Sequence, residues 1–377
     1  MPTRDELFRA AERLHAHLLG RHYDHGLLRG PDAGVRFNLR AWRFLKSALD
    51  FVPWRDNYVF MQTQGYWILA NWMLHEATGE RRYREVAIQT TEATLARQSP
   101  EGFWTYPLPE RKHLIATIEG DWGAIGLLAS YAREPREEFL AGAIRWYDFL
   151  VTRIGFQDHA SGRAINYFDR PRGKVPNNST ATAWFFLCLW KPGGDGRFLE
   201  HVNPLLDFVA AVQLPSGELP YVVEGPFESR REHYLCFQYN AFQFLNLAGA
   251  VALGPGGRAR PVLTRLARFL AKGVLPGGAS AADCSRAKPE VDYYTAVLAA
   301  ALSEAAKLGL VESCELSDRC YARLLERQRP DGSFIYSTGD YGFLRDTRSY
   351  PRAQAMTLFH LLYGCGIGEG FPERVES

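Results

Sequence analysis

The chain has 377 residues, of which 46% are hydrophobic, 23% charged and 13% aromatic, with a formal net charge of +2 at pH 7. This is the composition of a folded globular protein, and the near-neutral balance offers no field that would draw nucleic acid or an acidic membrane. No run of about 18 uninterrupted apolar residues occurs, so no membrane span is expected.

Taken in order, Asp5 to Gly20 predicts a helix with Leu7, Leu14 and Leu18 on one side. Tyr23 to Phe37 is rich in Gly and charge and predicts irregular chain. Leu39 to Phe51 predicts a helix, and Pro53-Trp54 a break. From there two kinds of helix alternate. Apolar runs begin at Gly65, Gly123, Ala181, Gln238, Thr295 and Ala353, spaced 58, 58, 57, 57 and 58 residues apart. They are greasy on nearly every side, as an enclosed helix is. Between them lie amphipathic stretches at Arg81 to Arg97, Glu137 to Thr152, Val262 to Lys272 and Ser317 to Arg327, which predict half-buried helices.

The amphipathic helices end in a recurring loop. Gln98-Ser-Pro-Glu-Gly-Phe-Trp-Thr-Tyr106, Gln213-Leu-Pro-Ser-Gly-Glu-Leu-Pro-Tyr221 and Gln328-Arg-Pro-Asp-Gly-Ser-Phe-Ile-Tyr336 share Gln, Pro, Gly and Tyr at the same offsets, and begin 115 residues apart. Degenerate copies stand between them at Gln157 and Lys272. A fixed period of this kind marks a repeat architecture. In each loop the Gln is expected to tie the following turn and the Gly to supply the positive φ that stops the helix. Six enclosed helices, each paired with an exposed one, predict an all-α fold. It would be a single domain over residues 1–377, a closed double ring whose first repeat is carried by the N-terminal region. The last repeat is no more polar than the others, which argues against an open solenoid.

Gln98, Gly102 and Trp104, and again Gln328, Gly332 and Phe334, resemble the Gln-Trp repeats of the terpenoid-cyclase toroids. The six-hairpin count resembles the (α/α)6 barrels of six-hairpin glycosidases, polysaccharide lyases and the helical domain of glucuronyl C5-epimerases. Both resemblances imply a toroid with its site at one mouth. The second implies a carbohydrate substrate. The chain has no Asp-Asp pair, where the terpenoid cyclases resemble one another in Asp-x-Asp-Asp or Asp-Asp-x-x-Asp motifs.

The segments before the enclosed helices hold the site candidates: Tyr58, Gln62 and Gln64; Glu119, Asp121 and Trp122; Asn177, Asn178 and Ser179; Glu232, His233, Tyr234, Gln238 and Tyr239; Glu290, Asp292, Tyr293 and Tyr294; Arg348, Tyr350, Arg352 and Gln354. Tyr and Trp faces stack on pyranose rings, and amides and Arg bind hydroxyls and carboxylates. Trp122, Asn178, Tyr239, Glu290, Tyr293, Arg348, Tyr350 and Arg352 are the expected substrate contacts, and the two arginines, four residues apart, are expected to share a helix face and clamp an acidic sugar.

Asp121 and Asp292, in repeats that face each other, are the first choice for the two carboxylates of glycoside hydrolysis. Helix capping or salt bridging is the alternative for each. His233 and Tyr234 are the alternative centre, by proton abstraction next to a uronate carboxylate, giving an epimerase or lyase. A terpenoid-type cyclase and a non-catalytic glycan-binding ring are further readings. No metal site and no cofactor are expected, since no HxH, HExxH, clustered Cys/His or nucleotide glycine loop occurs. The six scattered cysteines and the N-terminus without an apolar core predict reduced, buried thiols and a cytoplasmic protein.

Overall fold

The computed structural model describes residues 1–33, 56–171, 173–223, 233–312, 314–337 and 348–367. The helix expected over Leu39 to Phe51, the break at Pro53-Trp54, and Glu232 lie outside the described residues. Twelve α-helices are described: α1 (Arg4–Arg21), α2 (Met61–Thr78), α3 (Arg81–Ala96), α4 (Thr117–Tyr131), α5 (Glu137–Phe149), α6 (Pro176–Gly193), α7 (Val202–Val212), α8 (Cys236–Ala252), α9 (Arg260–Ala271), α10 (Asp292–Lys307), α11 (Glu315–Arg327) and α12 (Pro351–Gly364).

The even-numbered helices form an inner ring. Each packs against the next, and α12 packs back on α2, so the ring closes. Enclosure explains their composition: every residue from Met61 to Leu74 of α2 is buried. The odd-numbered helices form the outer ring and bury one side only. In α9 the buried side is Val262, Leu263, Leu266, Ala267, Phe269 and Leu270. Five hairpins run inner helix then outer helix, from α2/α3 to α10/α11. The sixth is made from the chain's two ends, with α1 packed on α12. The N-terminal helix therefore completes the last repeat. A Thr3–Glu6 capping box starts α1, Glu6 N–H donating to Thr3 Oγ1 and Thr3 N–H to Glu6 Oε2.

The repeated glutamines hold the outer ring together. Gln98 Nε2 donates to Gly102 O (2.9 Å) in its own loop and to Gly142 O (2.8 Å) on α5. Gln213 repeats this with Gly217 O and Val262 O of α9, and Gln328 with Gly332 O and Ala10 O of α1. Each Gln thus ties its turn, as expected, and also ties its outer helix to the next one round the ring. The glycines are required twice over. Gly217 has φ +93, and a Cβ there would lie 2.4 Å from Arg265 O of α9; Gly332 has φ +84 and the same distance to Arg13 O of α1.

The degenerate copy at Gln157 differs. Phe156–His159 (β3) pairs antiparallel with Gly162–Ile165 (β4), and Gln157 faces Ala164 in that hairpin. A second two-residue hairpin joins β1 (Tyr23–Asp24) to β2 (Leu27–Leu28) in the stretch expected to be irregular. Among the described residues no helix is long and apolar enough to cross a membrane.

Candidate functional site

Alternation of inner and outer helices makes the six inner helices parallel, so their first turns surround one axis. A cavity of about 80 Å³ opens there. All six inner helices line it: Gln62 and Tyr66 from α2, Ile118 and Trp122 from α4, Asn177 from α6, Gln238, Tyr239, Phe242 and Asn246 from α8, Tyr293 from α10, and Arg352 and Met356 from α12. Five of the six helices contribute their second residue, and in α2, α4 and α12 the next contact is four residues on, one turn deeper. Free N–H groups and positive dipole ends from six helices favour an anionic guest.

The floor is aromatic. Tyr66 and Trp122 stack with ring centres 3.8 Å apart, and Trp184 meets Trp122 edge-on at 5.7 Å. Above them the wall is polar. Gln238 Nε2 donates to Tyr293 Oη at 3.1 Å. Gln62 Oε1, Asn177 Oδ1 and Gln238 Oε1 have no hydrogen-bond partner among the described residues. Burial pushes the Tyr239 and Tyr293 phenols well above the usual range, so both stay protonated.

Arg352 is the only charged side chain lining the cavity among the described residues. Its guanidinium lies over the Phe60 ring at 4.7 Å and 3.6 Å from Asp32. Burial works against its charge, but Asp32, Tyr106 and Glu119 outweigh that and raise its pKa. Glu119 is itself buried, and Gln62 N–H donates to its Oε2 at 3.1 Å. Burial raises the Glu119 pKa, against the pull of Arg352 and that backbone N–H. A groove of about 450 Å³, lined by Tyr58, Arg97, Trp104, Tyr106 and Lys112 among others, adjoins this cluster through Tyr106. Deeper on the same face of α12, eight residues past Arg352, His360 is fully buried, with neither ring nitrogen hydrogen-bonded among the described residues. Burial lowers its pKa to about 3, so it is neutral.

Of the expected substrate contacts, Trp122, Tyr239, Tyr293 and Arg352 line the cavity, and the others do not. Asn178 is buried away from it, its side-chain amide without a hydrogen-bond partner among the described residues. Glu290 is held by Arg323 through two hydrogen bonds of 2.9 and 3.1 Å, and lies 3.3 Å from Arg327. Arg348 does not share a helix face with Arg352, because α12 begins only at Pro351. Tyr350 before it is extended, as a residue preceding proline prefers, and its ring is buried against Tyr336. Gln64 and Gln354 serve the backbone, pinning Leu28 and Phe334.

The two expected catalytic carboxylates are corrected most. Asp121 Oδ1 accepts from Trp146 Nε1 of α5 at 2.9 Å, and Oδ2 accepts from Thr182 Oγ1 of α6 at 2.7 Å. Asp292 is paired with Arg327 of α11. Both are buried in the layer between the rings and neither lines the cavity. Successive residues on a helix point about 100° apart. Asp292 is one residue before the cavity-facing Tyr293, and Asp121 one before Trp122, so each is turned away from the axis. His233 and Tyr234 also lie off the cavity. His233 Nδ1 is 2.7 Å from Glu218 Oε2, and Tyr234 is exposed. Glu218, His233 and Cys284, far apart in sequence and in no metal motif, place ligand atoms within 4.8 Å of one another. The cavity residues that sequence reasoning missed (Tyr66, Ile118, Phe242, Asn246 and Met356) sit in runs read only as greasy. Their signal is the helical phase: Ile118 is the second residue of its helix, Tyr66 and Met356 stand four after one, and Phe242 and Asn246 follow Gln238 at the same four-residue step.

No family model matches the chain, and no curated protein sequence matches it. Solved structures do match in fold. A possible member of the GH105 family from Salmonella enterica superposes with a TM-score of 0.72 at 14% identity, over 97% of this chain and 95% of that one. The chain is an (α/α)6 toroid. Cellobiose 2-epimerase from Bacillus thermoamylovorans gives 0.73 at 13%, over 96% and 99%. A polysaccharide lyase gives 0.69 at 13%, over 97% and 98%. Toroids that superpose on nearly all of this chain are thus named for three different chemistries, and the fold by itself does not choose among them.

Proposed function

We propose that this toroid is a carbohydrate-active enzyme that takes the acidic end of a glycan into its axial cavity and moves a proton next to the sugar carboxylate, as an epimerase or lyase does. The observation that carries the reading is the cavity wall itself: among the described residues, one arginine, two protonated tyrosines, four amides and an aromatic floor, with no carboxylate. The space at the narrow end is that of roughly five to eight water molecules, which suits a single sugar ring stacked on Tyr66 and Trp122. Arg352 pairs with the uronate carboxylate and spreads the charge that develops when the neighbouring C–H is deprotonated. Tyr293, whose ionisation the Arg352 charge favours, would take the C–H proton as its phenolate after releasing its own proton to solvent, and Tyr239 donates a hydrogen bond and can return a proton to the sugar. Arg97 and Lys112 in the adjoining groove would accompany the rest of an anionic chain.

One observation favours hydrolysis as a second reading. Glu119, held towards its neutral form beside Arg352, is a carboxyl group able to donate a proton to a leaving oxygen. Glycosidic cleavage by Asp121 and Asp292 has no such support. Incubating the protein with uronate-containing oligosaccharides in deuterated water separates the readings. Deuterium in recovered sugar or a new unsaturated product is expected; reducing ends released without either would overturn the proposal in favour of hydrolysis. Arg352→Gln should weaken binding of acidic sugars about 10- to 100-fold, the worth of one charged hydrogen-bonded pair, and leave neutral analogues nearly unaffected.

A further inference from the structure

We propose that Glu218, His233, Cys236 and Cys284 form a structural zinc site at the cavity mouth. Four donor groups from separate parts of the chain meet there. His233 Nδ1 is 2.7 Å from Glu218 Oε2, Cys284 Sγ is 3.8 Å from the same oxygen, and Cys236 Sγ is 3.1 Å from Cys284 Sγ. In a tetrahedron with Zn–S of about 2.3 Å and Zn–N or Zn–O of about 2.0–2.1 Å, neighbouring ligand atoms lie roughly 3.3–3.8 Å apart. Glu218, His233 and Cys284 already place ligand atoms within 4.8 Å of one another; the three observed edges depart from the tetrahedral range by up to about 0.7 Å, and Cys236, beside Cys284, completes the set by turning its Sγ towards the other two. The sulfurs are far beyond the disulfide length of about 2.05 Å, and both cysteines are free.

The donor set is the chemistry of a thiophilic dication: two sulfurs, one imidazole, one carboxylate. The cluster brings a fully buried carboxylate, an imidazole and a thiol within 4.8 Å of one another, with a second thiol beside the first. Three of the donors stand on chain that is itself held in place. Leu214 N–H donates to Glu218 O and Leu219 N–H to Asn240 Oδ1, fixing the chain on either side of the Glu218 side chain. Cys284 stands in a tight turn closed by Asp283, whose carboxylate accepts from Ser285 N and Arg286 Nε. Cys236 opens α8. A metal there would pin the loop after α7, the start of α8 and the loop before α10 to one another, three residues ahead of the cavity-lining Tyr239 in α8. Loading at neutral pH would displace the two thiol protons to solvent.

The test uses the full chain, stripped with chelator under a non-thiol reductant and then dialysed against zinc chloride or cobalt chloride. Elemental analysis should give about one zinc per chain, and cobalt should give a thiolate-to-metal charge-transfer band with the intense visible bands of a tetrahedral site. Cys284→Ser, at an exposed position, should lower bound zinc at least tenfold while the far-ultraviolet circular dichroism stays unchanged. Glu218→Gln should weaken zinc at least tenfold and keep a cobalt–thiolate band. Less than a tenth of a zinc per chain in the wild type, a cobalt spectrum without thiolate bands, or a Cys236–Cys284 disulfide in protein purified without reductant would each overturn the proposal. None of these readouts depends on the reaction proposed for the cavity.

Discussion

Asp121 puts a carboxyl group where a charge is expensive. It is fully buried, and burial raises its pKa to about 7 although Thr182 and Trp146 both donate to it. An Asp bound to its proton more tightly in the fold than in the unfolded chain adds stability that is complete below about pH 4. That stability is lost as the pH rises through about 7. Asp121→Asn keeps an acceptor for Trp146 and removes the titration. Urea unfolding of both proteins at pH 5 and pH 8 should show the wild type losing about 3 kcal/mol more than the variant over that interval. Equal losses would mean that Asp121 is ionised in the fold. The same residue shows what sequence can and cannot locate. The six segments that begin the inner helices were legible from polar and aromatic residues preceding greasy runs. Which residue of each segment faces the axis was not, because one residue turns the side chain by about 100° and helix starts are blurred by one or two residues. Trp122 and Tyr293 face the axis, and Asp121 and Asp292, each one position earlier, do not.

At the scale of the elements, the loop motif carries more than a turn. A glutamine that only closed its own loop would explain the Gln–Gly spacing but not why the motif recurs in full at every second hairpin. The second bond of each amide goes to the next outer helix, to Gly142, Val262 or Ala10, so three residues stitch six outer helices in pairs. Gln213→Ala leaves the buried carbonyls of Gly217 and Val262 without that donor and should cost about 1–3 kcal/mol. Gly217→Ala meets both a left-handed backbone and the Arg265 carbonyl at 2.4 Å, and should cost at least about 2 kcal/mol. Because the two act on one loop, the double variant should cost clearly less than the sum, as chemical denaturation can measure. Additive losses would show that the staple and the turn are independent. The motif was legible because its causes are local in sequence. The Glu218, His233, Cys236 and Cys284 cluster was not, because its members are brought together from positions 15, 3 and 48 residues apart by the ring.

For the whole molecule the decisive contact is the last one made. A linear array of helical hairpins unfolds from its ends, since each repeat touches only its neighbours. Here α12 packs on α2, and α1 packs on α12, so no repeat is terminal. The closure joins residues more than 300 positions apart, with Gln328 Nε2 on Ala10 O and His17 Nε2 2.9 Å from Ser349 Oγ. Such contacts cost loop entropy before they return anything, so the ring should form all at once or not at all. Urea unfolding followed by tryptophan fluorescence and by circular dichroism should give one coincident transition. Deleting residues 1–21 removes the outer partner of α12 and bares the apolar surface that Leu7, Leu14 and Leu18 cover. The truncated chain should then lose that cooperativity, with a lower slope in urea and separated transitions for the two probes. A truncated protein that still unfolds in one sharp step would mean that the inner ring alone holds the toroid shut.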